Sequence, residues 1–318
     1  MKKVLALILA LVMSLSLVAC GGGDSSAKLR FVTGGESGTY YAFGSVIAQH
    51  ATNHAGINVV GLVGNGSQAN IEELQAGNAD LAFCQSDVMA YAYEGTNIFD
   101  AKVDCFSTVA ALYTEQVQIV TVDPSIKTVA DLKGKNVSIG AAGSGVFFNA
   151  VDILGAYGLD VEKDINPTYQ SFGDSADALK DGKIDAAFIV AGAPTTAITD
   201  LATTKAVSLV SLDDEHIDKL LASSPYYTKC TIPADVYGLD ADTTTVGVGA
   251  VILARDDVSE DAIYALCADI FDNAADLVSS HAKYGELSLE YAASITSVPY
   301  HAGAVKYFAE HNMTVAGK

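Results

Sequence analysis

Arginine is almost missing from this chain. Its 318 residues contain two, Arg30 and Arg255, and both fall in or beside stretches with strand character, away from the glycine-rich turns. A bidentate arginine clamp on a carboxylate or phosphate is therefore not visible. Catalytic signatures are missing too: there is no HExxH, no GxSxG and no GxxxxGK(S/T). Gly34-Gly35-Glu36-Ser37-Gly38-Thr39 has the glycines of a phosphate loop and lacks its lysine. No nucleophile and base stand at recognisable spacing, so the residues argue against an enzyme, a hydrolase included. No catalytic residue, cofactor or metal is expected. His50 and His54 are four apart on an expected helix, but no Cys, Asp or Glu at ligand spacing joins them, and they read as a solvated helix end. His301 reads as a cap or packing residue, not a base. Basic residues are scarce overall: 18 Lys and Arg against 38 Asp and Glu give a formal charge of -20. Nucleic acid is a poor partner for such a surface, and an anionic ligand has to be held by local donors against the overall field.

Long apolar runs are scarce as well. The one candidate, Val4–Val18, follows basic Met1-Lys2-Lys3 and ends in Leu17-Val18-Ala19-Cys20 before three glycines. A basic start, a short apolar core and a small residue at the cleavage point describe a signal peptide over residues 1–19. Leu-Val-Ala-Cys looks like a bacterial lipobox, with Cys20 as the lipidated first residue of the mature chain. Two acyl chains suffice for stable anchoring, and residues 20–28 read as a flexible tether. Cleavage takes the formal charge from -20 to -22 by removing Lys2 and Lys3. The expected location is extracytoplasmic, lipid-anchored on the outer face of the cell membrane or periplasmic. Four further cysteines, Cys84, Cys105, Cys230 and Cys267, show no CxxC spacing. They read as mostly buried thiols, with one bridge open as an alternative.

The remaining chain alternates short β-branched runs with longer helical patterns. Strands are expected at 29–33, 58–63, 81–84, 117–122, 136–140, 186–190 and 246–254. Helices are expected at 41–53, 67–76, 146–157, 175–180, 259–280 and 302–310. Such alternation argues for α/β domains with largely parallel sheets. One phrase occurs twice: Leu74-x-x-Gly77-x-x-Asp80-x-Ala82-Phe83 returns 105 residues later as Leu179-x-x-Gly182-x-x-Asp185-x-Ala187-Phe188. Each glycine suits the left-handed end of a helix. Upstream, Gly35-Glu36-Ser37-Gly38 is matched by Gly143-Ser144-Gly145, each between a strand and a helix. Two similar α/β halves predict two lobes, 28–116 plus 245–318 and 117–244, the chain crossing through 112–122 and 243–254. In open α/β sheets ligands sit beyond the carboxyl ends of strands. Facing halves would then bring both Ser-Gly turns, with their N–H groups and positive helix ends, to one cleft.

The donors available there are neutral: Ser37, Thr39, Tyr40, Asn65, Ser67, Asn70, Gln85, Ser86 and Ser144, with the turn glycines Gly38 and Gly145. Ser67 is equally readable as the N-cap of its helix. Asp87 reads as an N-cap, with a ligand ammonium as the other reading. Of Tyr40 and Tyr41, one is expected to wall the pocket and one to join the core. Hydroxyls, amides, backbone donors and aromatic faces suit a small organic anion or a zwitterion.

These phrases resemble the TAXI family of extracytoplasmic receptors that serve TRAP-type secondary transporters. The matching segments are Thr33–Tyr41, Gly64–Asn70, Gly77–Asp87, Asp131–Lys135, Gly143–Gly145, Asp177–Phe188, Ala191–Pro194, Thr231–Pro233 and His301–Ala304. They span nearly the whole mature chain. The resemblance implies a type II periplasmic-binding fold closing like a clamshell, and delivery to an ion-gradient-driven membrane permease. It implies a small carboxylate ligand such as glutamate or 2-oxoglutarate. Its ligand contacts fall at Thr39, Tyr40, Ser67, Asn70, Gln85, Ser86, Ser144, Gly145 and near Gly192. The family often has Thr where this chain has Val146, which removes one hydroxyl from the expected wall. The same fold serves ABC transporters and sensors that signal to membrane kinases, and those are the alternative outputs. A monomer is expected.

Overall fold

The computed structural model describes residues 28–318. The expected signal peptide, Cys20 and the tether before Lys28 lie outside the described residues. The chain runs β1 (Lys28–Val32), α1 (Thr39–His54), β2 (Asn58–Leu62), α2 (Ser67–Gln75), β3 (Leu81–Gln85), α3 (Ser86–Glu94) and β4 (Phe106–Thr121). It continues through β5 (Asn136–Ser138), α4 (Val146–Ala156), β6 (Asn166–Thr168), α5 (Phe172–Lys180), β7 (Ala186–Ala191), α6 (Thr196–Ala202), β8 (Ser208–Leu209), α7 (Asp214–Ser223) and β9 (Thr228–Ile232). Then come β10 (Thr243–Arg255), α8 (Glu260–Asp272), α9 (Ala274–Leu277), α10 (Leu289–Ala292) and α11 (Ala302–Glu310).

The strand order is β2-β1-β3-β10-β4-β7-β5-β6, with β8 on β4 and β9 on β10. At one end β1 pairs parallel with β2 and β3, and at the other β5 pairs parallel with β6 and β7. The central strands β3 and β7 are buried along their whole length, as parallel strands covered on both faces are. The antiparallel pair β4 and β10 joins the two ends. Between Gly247 and Arg255, β10 pairs with β4; its first five residues, Thr243–Gly247, pair with β9. From Gln116 onward β4 pairs with β7. Two register shifts interrupt the β4–β10 ladder, between Ala250 and Val251 and between Ile252 and Leu253, where bulges add bend and twist. Two hydrophobic clusters flank the first end and two the second. The architecture is two α/β lobes.

The repeated phrase folds the same way twice. Gly77 and Gly182 close their helices with φ of +71° and +68°, the left-handed conformation glycine adopts without strain. Asp80 then accepts from the Arg30 backbone N–H at 2.8 Å while its own N–H donates to the Arg30 carbonyl at 2.9 Å. Asp185 does the same with Asn136, at 2.8 and 2.8 Å. Each aspartate thus stitches the turn to the neighbouring parallel strand.

Several expected elements change. The strand expected over 117–122 is the end of a longer one, because Phe106–Tyr113 is also buried throughout. The helix expected over 259–280 breaks at Asn273, whose side-chain amide donates back to the Asp269 carbonyl at 3.0 Å and so competes with the backbone ladder. Helix α3, expected to be capped by Asp87, starts instead at Ser86, directly at the end of β3. Cys84, Cys105, Cys230 and Cys267 are all free thiols. His50 bonds the buried Asp269 at 2.9 Å and stacks on His54, so this helix end is packed against α8 and not simply solvated. His301 caps α11 through Nδ1, with Nε2 on the Val258 carbonyl. Among the described residues no helix is long and apolar enough to cross a membrane.

Candidate functional site

Three helices begin with glycine at the N-cap. Gly38, Gly66 and Gly145 precede α1, α2 and α4, and none of these ends receives a side-chain cap. Helices α5, α7 and α8 are capped by Ser171, Asp213 and Ser259. A first turn without a side-chain cap keeps amide donors and the positive end of the dipole for something else. Two of these ends come from the first lobe and one from the second, and all three meet at one cavity. Ser67 is therefore the first helical residue and not the cap. Its Oγ accepts from the Gln85 N–H at 3.0 Å.

The cavity is about 80 Å³, well below the ~300–1,000 Å³ of a drug-sized pocket. Gly38, Thr39, Tyr40, Asn65, Ser67 and Gln85 line it from the first lobe, and Ser144, Gly145 and Val146 from the second. Phe172, Ser171, Val190 and Ala191 complete the second-lobe wall. A larger recess of about 620 Å³ lies beside Asp80 and Arg255, but its central charges are already paired: Arg30 and Arg255 reach Asp80 at 2.8 and 3.1 Å. Among the described residues no group of three or more His, Cys, Asp or Glu is placed to hold a metal ion.

One acidic residue in this wall was not foreseen. Glu115, on β4 next to the point where that strand begins to pair with β7, lines the cavity and is 1% exposed. Its Oε1, the Tyr40 hydroxyl and the Ser144 hydroxyl are all buried without a hydrogen-bond partner. Burial pushes the Glu115 carboxyl well above the usual carboxylate range, with nearby Asp87 adding to the rise and Tyr40 and Lys283 opposing it. Tyr40 stacks on Phe83 at 4.6 Å between ring centroids, which fixes its ring. Its hydroxyl is close enough to feel the Glu115 charge, and burial raises its pKa well above the usual tyrosine value. Tyr40 thus takes both roles expected of the pair, lining the cavity and packing on a hydrophobic cluster, while Tyr41 is half-buried and joins none of the clusters.

The lobes are closed on each other. Thr39 Oγ1 donates to the Gly192 carbonyl at 2.8 Å, and the Ala69 N–H to the Gly143 carbonyl at 2.9 Å. Gln85 Nε2 donates to Asn149 Oδ1 at 2.7 Å, and Asn149 Nδ2 to Asp87 Oδ2 and the Tyr227 hydroxyl, each at 2.9 Å. Tyr227 in turn donates to Asp152 at 2.8 Å. Lys283, almost wholly buried, reaches across to the Ala193 carbonyl at 3.0 Å and pairs with Glu286 at 2.5 Å. Phe148 of α4 packs into a first-lobe cluster against Tyr91. None of Asn149, Phe148, Tyr227 and Lys283 carried a local sequence signal.

Asn70, Ser86 and Gly192 do not reach the cavity wall. Asn70 Nδ2 pins the Thr33 and Phe83 carbonyls at 2.6 and 2.8 Å. Ser86 Oγ accepts from the Gly249 N–H at 2.9 Å. Gly192 takes the interlobe bond from Thr39 and gives room to Lys283. Asp87 is not the cap of α3, a position held by Gln85; it lies inside the first turn.

Two α/β lobes joined by paired strands, with a small cavity between them, define the periplasmic-binding-protein class of fold. The chain belongs to the NMT1-like family, whose model matches residues 31–311. Solved structures share the fold at low identity. The alkanesulfonate-binding protein SsuA from Xanthomonas axonopodis pv. citri, bound to MOPS, superposes with a TM-score of 0.50 at 17% identity, covering 91% of this chain and 93% of that one. The GluR0 ligand-binding core in complex with L-glutamate gives 0.50 at 10% identity, over 84% and 99%. A periplasmic transporter structure gives 0.52 at 15% identity, over 81% and 87%.

Proposed function

We propose that this protein is an extracytoplasmic solute receptor, lipid-anchored through Cys20, that encloses a small carboxylate between lobes 28–116 plus 245–318 and 117–244. In this reading it delivers glutamate, 2-oxoglutarate or a similar acid to the permease of a TAXI-type TRAP transporter. One observation carries the ligand class. Three helix N-termini without side-chain caps, from both lobes, meet at one interlobe cavity in which the Ser144 hydroxyl is buried and unpartnered. Backbone donors and helix dipoles hold a carboxylate without arginine. Thr39, Tyr40, Ser67, Gln85, Ser144 and Gly145 supply the contacts, and Val146 contributes an apolar face. Ligand binding between lobes favours the closed state by its differential affinity for it.

Calorimetry against a panel of organic and amino acids tests this. Replacing both Ser67 and Ser144 by alanine is expected to weaken the bound acid by roughly 10–100-fold, as the loss of one or two hydrogen bonds to a charged group does. Unchanged affinity in the double variant would remove these residues from the site.

A further inference from the structure

Resting on the carboxylate reading above, we infer that Glu115 receives a ligand ammonium, so that the cavity selects a small α-amino acid over the matching oxo acid. The helix ends give one side of the cavity positive character. Glu115 gives another wall a carboxyl group with a buried, unpartnered oxygen. A buried carboxylate without a partner is costly, and the protein offers this one no cation. Lys283 is close enough to influence it, but its ammonium is committed to the Ala193 carbonyl and to Glu286. Asp87, the other buried acid nearby, is occupied by Asn149 and the Val88 N–H. Glu115, beside the Tyr40 hydroxyl, is thus the acidic acceptor left open in the wall.

A zwitterion satisfies both sides. Its carboxylate meets the amides at Thr39, Ser67 and Val146 and the Ser144 hydroxyl. Its ammonium meets Glu115 and Tyr40. A dicarboxylate or an oxo acid places an oxygen against Glu115 instead, and binds only by keeping Glu115 protonated. Binding of an ammonium favours the ionised form of Glu115.

Matched pairs test this: L-glutamate with 2-oxoglutarate, and L-alanine with pyruvate, by calorimetry on the wild type and on Glu115→Gln. The expected wild type prefers the amino acid of its best pair by at least ~30-fold. Glu115→Gln loses ~100-fold for that amino acid and keeps or improves its affinity for the oxo acid. The preference of the wild type within each matched pair is a readout that needs no variant. A wild type that prefers the oxo acid, or a Glu115→Gln variant that keeps the amino acid, overturns the role of Glu115 and leaves the carboxylate reading standing. Failure of every acid to bind the wild type overturns both.

Discussion

A methyl group added to Gly145 would stand 1.3 Å from Gln85 Oε1 and 2.9 Å from the Ser67 hydroxyl. Both belong to the other lobe. Gly145 itself has φ -69° and ψ -20°, a conformation alanine adopts freely. Gly145→Ala is therefore harmless to its own lobe and obstructs closure, because Gln85 can retreat only by giving up Asn149 at 2.7 Å. Losing such a bond costs ~1–3 kcal/mol, so ligand affinity is expected to fall roughly 10–100-fold while the melting temperature of the ligand-free protein stays within ~2 °C. Equal affinity with an unchanged scattering profile on ligand addition would show that this approach does not limit closure. The turn residues Thr39, Tyr40, Ser67, Ser144 and Gly145 were legible because a strand, a glycine turn and a helix lie side by side in the chain. Glu115 was not. Thr114-Glu115-Gln116 reads as an ordinary polar interruption, and which flank of a buried strand faces the cavity depends on β7 and β10, more than 70 residues away.

At the level of elements, the doubled aspartates make a matched pair with unequal loads. Asp80 accepts from the Arg30 backbone, Nε and Nη2 at 2.8, 2.9 and 2.8 Å, and Arg255 adds a contact at 3.1 Å. Asp185 accepts from the Asn136 N–H at 2.8 Å. Discounted for the solvent around Arg30, Asp80→Ala is expected to cost ~2 kcal/mol and Asp185→Ala ~1 kcal/mol, read as a shift in denaturant midpoint at constant slope. Equal losses would mean that the arginines add nothing to the stitch. The echo made these turns readable because a glycine at +70° and an aspartate three residues on are local requirements. The direct passage from β3 into α3 was not readable, since it depends on what the helix packs against, and the Asn273 back-bond that breaks the expected helix looks in the sequence like any other polar helix residue.

At the scale of the molecule, two lobes followed from two copies of one phrase. Their closed arrangement did not, because Gln85–Asn149, Asn149–Asp87 and Lys283–Ala193 join residues 62 to 90 apart. That arrangement buries Asp87 completely at the lobe junction. Burial pushes its carboxyl up to about 6, against the pull of Asn149 and the Val88 N–H, with Asp152 adding to the rise. Glu115, Asp152, Tyr91, Tyr227 and Cys84 also face this junction, and their ionisation is coupled to that of Asp87. When the lobes part, Asn149 leaves and water enters, which returns Asp87 toward its ordinary 3.8. The closed state then holds the proton more tightly than the open one. Closure is strengthened as pH falls through about 6 and gains nothing further below about 4. Between pH 7 and 5 the Asp87 share is about tenfold in the closing equilibrium. Glu115 acts in the same direction in the ligand-free protein, so the comparison that isolates Asp87 is wild type against Asp87→Asn. Interlobe distance, followed by fluorescence transfer between one label on each lobe, is expected to show the wild type closing more readily at pH 5 by about that factor relative to the variant. A constant ratio across this range would mean that water reaches Asp87 even when the lobes are shut.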